Sequence, residues 1–126
     1  MTSQIKAIRS YYEAFSRKDF DGMKPYMSDD FSFEDPFHTA DSADQYIDML
    51  RVMNALDYDI KLINTIESEN EVVVRFDWIV QKPVITTIPM MEWFTFDTNG
   101  LISQSELLFD KGDAGKVMES IMPAMA

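Results

Sequence analysis

Several residue types are missing or scarce in this chain, and each absence narrows what the protein can do. It has no cysteine and a single histidine, His38. Disulfides and thiolate metal sites are therefore excluded, and so is a metal site built from several histidines. A Ca²⁺ or Mg²⁺ site made only of carboxylates stays open, although neither EF-hand spacing nor a P-loop occurs.

Basic residues are also scarce, with 11 against 22 acidic residues and a net charge of −11. This balance argues against nucleic acid or an anionic membrane as a partner. No apolar run is long enough to span a membrane, and no basic stretch followed by an apolar one opens the chain. We therefore expect a cytoplasmic protein, and 126 residues that are 46% apolar predict one globular domain over residues 1–126.

The most informative stretch is Phe-Ser-Phe-Glu-Asp-Pro-Phe at 31–37. In an extended chain Phe31, Phe33, Asp35 and Phe37 share one face, which puts a carboxylate in a row of aromatic rings. Such an acid must be hydrogen-bonded or used in chemistry, because burying it otherwise is costly. The alternative is that Asp35 only begins an Asp-Pro turn at the surface.

Hydrophobic periodicity predicts the remaining elements. Spacing of three and four residues predicts helices, alternation predicts strands, and Gly, Pro and Asn predict turns. The predicted helices cover 3–17 with Ser3 as N-cap, 19–27 with a distortion at Pro25, 42–54 with a Ser42/Gln45 capping box, and a tail from Asp113 that includes Val117, Ile121 and Met122 and ends at Pro123. The predicted strands cover 31–35, where Pro36 ends the pattern just after Asp35, and 58–66, 71–81, 84–97 and 101–109, with a turn at 28–30, a loop at 38–41 and a bulge or sheet edge at Pro89.

This order of elements predicts an α+β fold in which helices lie on one face of a curved, mostly antiparallel sheet. The long strands, interrupted by Pro or Gly, predict a sheet that curls around the first helix. Such a cone would leave an internal pocket between helix and sheet, which is a usual place for a small-molecule site.

Three strand residues could contribute chemistry to that pocket. Glu92 shares a face by alternation with Met90, Phe94 and Phe96, where it would be neutral or paired; the opposite register would put it outside. Arg75 and Asp77 share a face with each other. Alternation favours the solvent side for this pair, with Val72, Val74, Phe76 and Trp78 inward, and the pocket side is the alternative.

Tyr11 and His38 are further candidates. Tyr11 lies beside the apolar stripe of the first helix, where its hydroxyl could donate into the pocket; a plain core tyrosine is the alternative. His38 follows Asp35 in a polar loop, where a histidine is more often an ordinary loop residue than a functional one.

Together, Tyr11, the Lys-Asp-Phe-Asp-Gly turn at 18–22, Ser-Asp-Asp at 28–30 and Phe-Glu-Asp-Pro at 33–36 resemble the NTF2-like superfamily. Within it they are similar to the SnoaL-like and ketosteroid isomerase-like branch. The resemblance extends over nearly the whole chain. It implies the NTF2-like cone and a homodimer, but not one function, because this fold hosts enzymes and binding proteins.

Bacterial ketosteroid isomerases have a tyrosine on the first helix, an aspartate in Glu-Asp-Pro and a second acid before an aromatic-x-aromatic run. By resemblance, Asp35 would be the base that removes a proton beside a carbonyl, and Tyr11 and neutral Glu92 would hydrogen-bond the enolate oxygen. No metal or cofactor is implied. The resemblance places the pocket lining at Phe31, Phe33, Arg75, Asp77, Phe94, Met90 and His38.

The chain departs from that pattern in three respects. Glu92 replaces an aspartate, and the tyrosine on the third helix that supports the oxyanion network has no counterpart, the nearest positions being Met49 and Leu50. A charged pair, Arg75 and Asp77, would also make the pocket unsuited to a flat steroid.

Three functions stay open. The first is isomerase- or cyclase-type proton transfer on a small hydrophobic or mixed-polarity carbonyl compound. The second is epoxide hydrolysis, because Arg75-Phe76-Asp77 resembles the Arg-x-Asp of limonene epoxide hydrolases; the further aspartate of that set falls at Leu107, beside Glu106. The third is a non-catalytic ligand-binding or accessory domain.

Overall fold

The computed structural model describes residues 1–121, in which three α-helices and six β-strands alternate with short connections. The helices are α1 (Ser3–Ser16), α2 (Ala43–Leu50) and α3 (Lys111–Ile121), with 3₁₀ helices at Asp21–Tyr26 and Arg51–Ala55. The strands are β1 (Met27–Glu34), β2 (Thr39–Ala40), β3 (Asp57–Ser68), β4 (Glu71–Lys82), β5 (Thr86–Phe96) and β6 (Ile102–Leu108).

The six strands form one curved, unclosed sheet in the order β2-β1-β6-β5-β4-β3. β1 runs parallel to β6, and every other neighbouring pair is antiparallel. Helices pack on the inner face, which confirms the predicted α+β cone. Alternate side chains of β4 and β5 are buried on the inner face of the sheet, which therefore becomes the wall of the interior.

The first helix forms where its apolar periodicity predicts. Its side chains at Ile8, Tyr11, Tyr12 and Ala14 are buried, and the Tyr12 ring lies 5.2 Å from that of Phe76 on β4. Thr2 rather than Ser3 is the N-cap: its hydroxyl accepts a hydrogen bond from the Ile5 amide at 3.2 Å. This bond satisfies one of the amides that the first turn of a helix leaves free.

Four local predictions were wrong. The stretch 28–30, predicted as a turn, belongs to β1; the pairing with β6 shifts register between Met27 and Ser32, so the strand continues through an irregularity. The predicted loop 38–41 contains β2, which pairs with the end of β1. The helices predicted over 19–27 and 42–54 form α-helix only over Ala43–Leu50; the rest is 3₁₀ helix at Asp21–Tyr26, which contains Pro25, and at Arg51–Ala55.

The remaining boundaries agree closely with prediction. Ser42 caps α2, and its hydroxyl accepts from the Gln45 amide at 3.1 Å. Pro89 pairs with Asp77 on β4, but β6 joins β5 only from Met91 onward, so Pro89 lies where β5 has a neighbour on one side. The predicted helix end at Pro123, and Met122 before it, lie outside the described residues. None of the helices within residues 1–121 has the length and apolar character needed to cross a membrane.

Candidate active site

A cavity of about 230 Å³ lies between α1, α2, α3 and the inner face of the sheet. Most of its wall is aromatic or aliphatic, with side chains such as Phe15, Met49, Phe76 and Met118. Few polar groups interrupt this wall. A site of this kind suits a small organic ligand that is mostly apolar, with its orientation set by the few polar groups.

The three residues expected to carry chemistry line this one cavity. Tyr11 reaches it from α1, Asp35 from the end of β1 and Glu92 from β5. Phe33, Met90 and His38 line it as well. The alternation that put Glu92 on the face of Met90 is confirmed, because Glu92, Met90 and Phe94 are all buried while Met91 and Trp93 are exposed.

Two aromatic residues expected in the lining lie behind it instead. Phe31 and Phe94 are fully buried but do not reach the cavity surface. Phe31 packs 5.3 Å from the ring of Tyr46, and Phe94 packs 5.6 Å from that of Tyr11. Each therefore supports a tyrosine of the wall from the core side, which is why the prediction that they line the pocket was wrong.

Arg75 and Asp77 were also wrongly expected in the pocket. They lie on the outer face of β4, because Val74, Phe76 and Trp78 take the buried positions between and beside them. Arg75 Nη1 donates to Asp77 Oδ1 at 3.0 Å and to the carbonyl of Phe76 at 2.6 Å. Strand alternation, and not the resemblance, gave the correct side.

The residues suggested for epoxide opening are consequently not assembled in the cavity. Glu106 is exposed on the outer side of β6, and it is Leu107 that lines the cavity. With Arg75 and Asp77 facing outward as well, no acid–arginine pair among the described residues faces the cavity to activate water. The charged lining that made a flat apolar ligand unsuitable is also absent from this wall.

Asp35 takes part in a turn and faces the cavity at the same time. Its Oδ1 accepts hydrogen bonds from the amides of Phe37 and His38, both at 2.7 Å, and its own amide donates to the His38 carbonyl at 2.9 Å. The side chain is 11% exposed. Asp35 therefore both begins a turn and lines the cavity, as the two alternative interpretations expected. The Asp-Pro turn fixes Oδ1, whereas Oδ2 accepts no hydrogen bond from the described chain.

His38 lies beside this carboxylate at the cavity entrance. Its Nδ1 is 3.3 Å from Asp35 Oδ1, and its side chain is 39% exposed. It therefore lines the cavity and is also partly exposed to solvent.

Glu92 is held by two hydroxyl groups. Tyr12 donates to its Oε1 at 2.6 Å and Ser105 to its Oε2 at 2.5 Å. Burial raises the pKa of Glu92 to about 7; the bonds from Ser105 and Tyr12 act in the opposite direction, and the charge of Asp35 adds a smaller increase. Near neutral pH the protonated and ionised forms are therefore both populated. When protonated, Glu92 can donate to Ser105 or to a ligand.

Sequence reasoning did not identify Tyr12, Ser105 and Tyr46 as residues of the site. Tyr12 is hydrogen-bonded to Glu92, which is 80 positions away along the chain. Tyr46 lies on α2 and lines the cavity, with its ring 4.4 Å from that of Phe33. The helix expected to lack a pocket tyrosine thus has one, one turn before Met49 and Leu50. Tyr46 lies three and four residues before Met49 and Leu50 and therefore shares their face of the helix. This spacing was the sequence signal that could have identified it as a pocket residue.

Two donors in the wall make no hydrogen bond within the described chain, the Tyr11 hydroxyl and Trp78 Nε1. Burial raises the pKa of Tyr11 well above its ordinary value, and the nearby Tyr46 hydroxyl and Glu92 carboxyl add to this effect. Tyr11 is therefore neutral at every physiological pH and remains available as a donor.

Comparison with solved structures gives the same fold. TerC co-crystallised with polyporic acid matches with a TM-score of 0.83 at 21% identity, over 94% of this chain and 99% of that one. A protein from Shewanella denitrificans provisionally assigned as a SnoaL-like polyketide cyclase matches at 0.81 and 16%, over 95% and 99%. An LEH-like epoxide hydrolase from M. tuberculosis matches at 0.78 and 20%, over 97% and 93%.

At these identities the structural likeness establishes the fold and not the activity. No protein of curated function matches the sequence. The SnoaL-like domain, however, matches residues 8–105, which is more than half of the chain. The cone, the cavity under α1 and this match lead to one conclusion: the chain belongs to the SnoaL-like domain family.

Proposed function

We propose that the protein binds a small, mostly apolar carbonyl compound in this cavity and transfers a proton at the carbon beside the carbonyl. The observation that carries the proposal is the pairing of a fixed carboxylate with a free donor. Asp35 has one oxygen held by two amides and the other free, and Tyr11, whose hydroxyl has no hydrogen-bond partner within the described chain, lines the same apolar space.

In the proposed reaction Asp35 Oδ2 takes the proton from carbon. The electron pair of the C–H bond forms the C=C bond of an enolate, and the carbonyl electrons move to oxygen. Tyr11 donates a hydrogen bond to that oxygen, with protonated Glu92 as a second donor. Where a C=C bond lies β,γ to the carbonyl, Asp35 then returns the proton to the γ carbon and the carbonyl re-forms, which gives the conjugated isomer. Alternatively, the enolate carbon attacks a second carbonyl of the same compound, the electron pair of that C=O bond moves to its oxygen, this oxygen takes the proton from Asp35, and a ring is formed.

The low polarity of the wall supports this chemistry. Charges interact more strongly where water is excluded, so a hydrogen bond to the developing oxyanion contributes more than it would in solution. Fixing Oδ1 in a turn leaves Asp35 little freedom to rotate, which keeps Oδ2 directed at the ligand. A cyclase-type assignment of one structural neighbour and the polyporic acid crystallised with another are compatible with a carbonyl substrate.

A second candidate is binding without turnover. The observation that favours it is Glu92, whose two oxygens are already engaged by Tyr12 and Ser105. If these bonds persist with ligand present, Glu92 stabilises the wall and gives no proton to the oxyanion.

Deuterium exchange separates the two candidates. 2-Tetralone, a bicyclic ketone with acidic α-protons, is incubated with the protein in D₂O and its α-proton signals are followed by NMR. Proton transfer predicts exchange well above the buffer rate, with saturation as the ketone concentration rises. Binding that saturates, measured by calorimetry, without faster exchange would favour the second candidate instead.

A further inference from the structure

Two unsatisfied donors in the cavity wall, Tyr11 Oη and Trp78 Nε1, give information about the ligand. Their residues are 1% and 5% exposed, and neither atom has a hydrogen-bond partner within the described chain. A buried donor left without an acceptor costs about 1–3 kcal/mol. Both residues line the cavity, so a ligand there can supply the missing acceptors.

The two donors differ in what they accept as partners. A tyrosine hydroxyl can donate or accept, whereas an indole N–H can only donate. Trp78 therefore needs an acceptor, such as a carbonyl or ether oxygen, and cannot be satisfied by a donor group.

The strand register shows that the two donors serve different parts of the cavity. Glu92, which influences the pKa of Tyr11, pairs with Val74 on β4, and Trp78 pairs with Ile88. These two rungs are four residues apart along β4, which corresponds to roughly 13 Å at about 3.3 Å per residue. The Tyr11 ring packs still further along the sheet, against Phe94.

We infer that the ligand is an elongated, mostly apolar carbonyl compound with an acceptor oxygen near each end, one bound by Tyr11 and the other by Trp78. This inference rests on the proposed function, because it assigns the reacting carbonyl to the Tyr11 end. It adds Trp78 as the residue that selects compounds with a second, distant oxygen. A compound with one carbonyl leaves one buried donor unsatisfied.

Two naphthalenes test this selection. 2-Acetylnaphthalene has one carbonyl, and 2,6-diacetylnaphthalene has a second at the opposite end of the same ring system. Calorimetric titration gives the dissociation constant of each compound for the wild type, Trp78→Phe and Trp93→Phe. Trp93, the other tryptophan, is exposed on the outer face and serves as the matched control.

The wild type and Trp93→Phe should bind the diketone at least fivefold more tightly than the monoketone. In Trp78→Phe this preference should fall to within twofold, because the acceptor at that end has lost its donor. A preference that survives in Trp78→Phe, or that is absent in the wild type, overturns the inference while leaving the proposed function intact. Failure of the wild type to bind either compound overturns both.

A second measurement does not require Trp78 to be replaced. In the Trp93→Phe protein the indole N–H signal in a ¹⁵N-resolved spectrum comes from Trp78. Addition of the diketone should move this proton downfield, as a new hydrogen bond to a carbonyl does. An unchanged signal with the diketone bound contradicts the assignment.

Discussion

The two faces of the same strands hold acidic groups in very different surroundings. On the inner face Glu92 is 3% exposed and its oxygens are bonded to the hydroxyls of Tyr12 and Ser105. On the outer face Asp77, whose side chain is 24% exposed, is paired with Arg75 at 3.0 Å. A cation neutralises the outer acid, whereas the inner acid is left to change its protonation state. The inner face therefore holds the acid whose protonation state can change near neutral pH, and the outer face holds an acid whose charge is balanced by a neighbouring cation.

The largest expected effect comes from removing the carboxylate of Asp35 in the cavity. Removal of a carboxylate on the outer face serves as the matched control. Asp35→Asn keeps the size of the side chain and an oxygen for the turn but removes the base, so α-proton exchange of 2-tetralone should fall roughly 10²–10⁴-fold. Ligand affinity should remain within a few-fold. The matched change Asp77→Asn, on the outer face, should leave the exchange rate unchanged. The measurement is NMR exchange in D₂O, with calorimetry for affinity.

Equal exchange rates in wild type and Asp35→Asn would remove Asp35 from the mechanism. A similar loss in both variants would mean that the effect is transmitted through the sheet and that the two faces are not independent.

Adjacent residues on β5 test the same contrast in stability. Phe94 is fully buried against Tyr11, whereas Trp93 is 45% exposed. Phe94→Ala should lower the free energy of unfolding by about 3–5 kcal/mol, through lost burial and the cavity that remains. Trp93→Ala should cost less than half as much. Urea unfolding followed by circular dichroism gives both values, and equal losses would contradict the assignment of faces.

The pH dependence of stability should distinguish Glu92 from other carboxyl groups. Its folded-state pKa of about 7 lies above its ordinary value of 4.5. Between these values the unfolded chain releases a proton that the folded protein keeps, so the contribution of Glu92 to stability falls as the pH rises from 4.5 to 7 and stays low above 7. Over this window the loss is about 3 kcal/mol.

Glu92→Gln should remove this loss, because its amide keeps one acceptor for Tyr12 and a donor for Ser105 without ionising. The stability of the variant relative to wild type should increase as the pH rises from 4.5 to about 7 and stay constant above that, measured by urea unfolding at a series of pH values. A constant difference across the range would show that Glu92 does not titrate in this window.

Strand alternation explains how much of this contrast could be predicted from the sequence. Period-two patterns gave the inner positions of Glu92 and Met90 and favoured outer positions for Arg75 and Asp77, because alternation is a local property of the backbone. The resemblance to ketosteroid isomerases and limonene epoxide hydrolases, by contrast, predicted Arg75 and Asp77 in the pocket, where the structure does not have them. A local rule was more reliable here than a superposition of distant relatives.

The partners of Glu92 could not be predicted in the same way. Tyr11 and Tyr12 are neighbours on α1, about 100° apart around the helix axis, so the orientation of the helix on the sheet decides which of them reaches the acid. Tyr12 reaches Glu92, whereas Tyr11 faces the cavity without a partner. This outcome depends on how a helix packs on strands far along the chain, which no local pattern specifies. The bulged start of β1 was missed for the same reason, since its pairing with β6 is also distant in sequence.

The smallest expected effect on the folded chain itself concerns the outer face. Large apolar side chains are exposed there and on nearby edges, among them Ile63, Ile66, Met91, Trp93 and Leu108. The homodimer expected from the sequence stays a prediction, and a second copy over this surface is the arrangement that it implies.

Trp93→Lys should then shift the mass measured by light scattering from twice 14.6 kDa to 14.6 kDa, while the folded spectrum is retained. Asn99→Lys, which adds the same charge at the exposed β5–β6 turn, is the control and should remain dimeric. A wild-type protein that is monomeric at high concentration would contradict the prediction, and the outer face would then tolerate its apolar side chains in water without a partner.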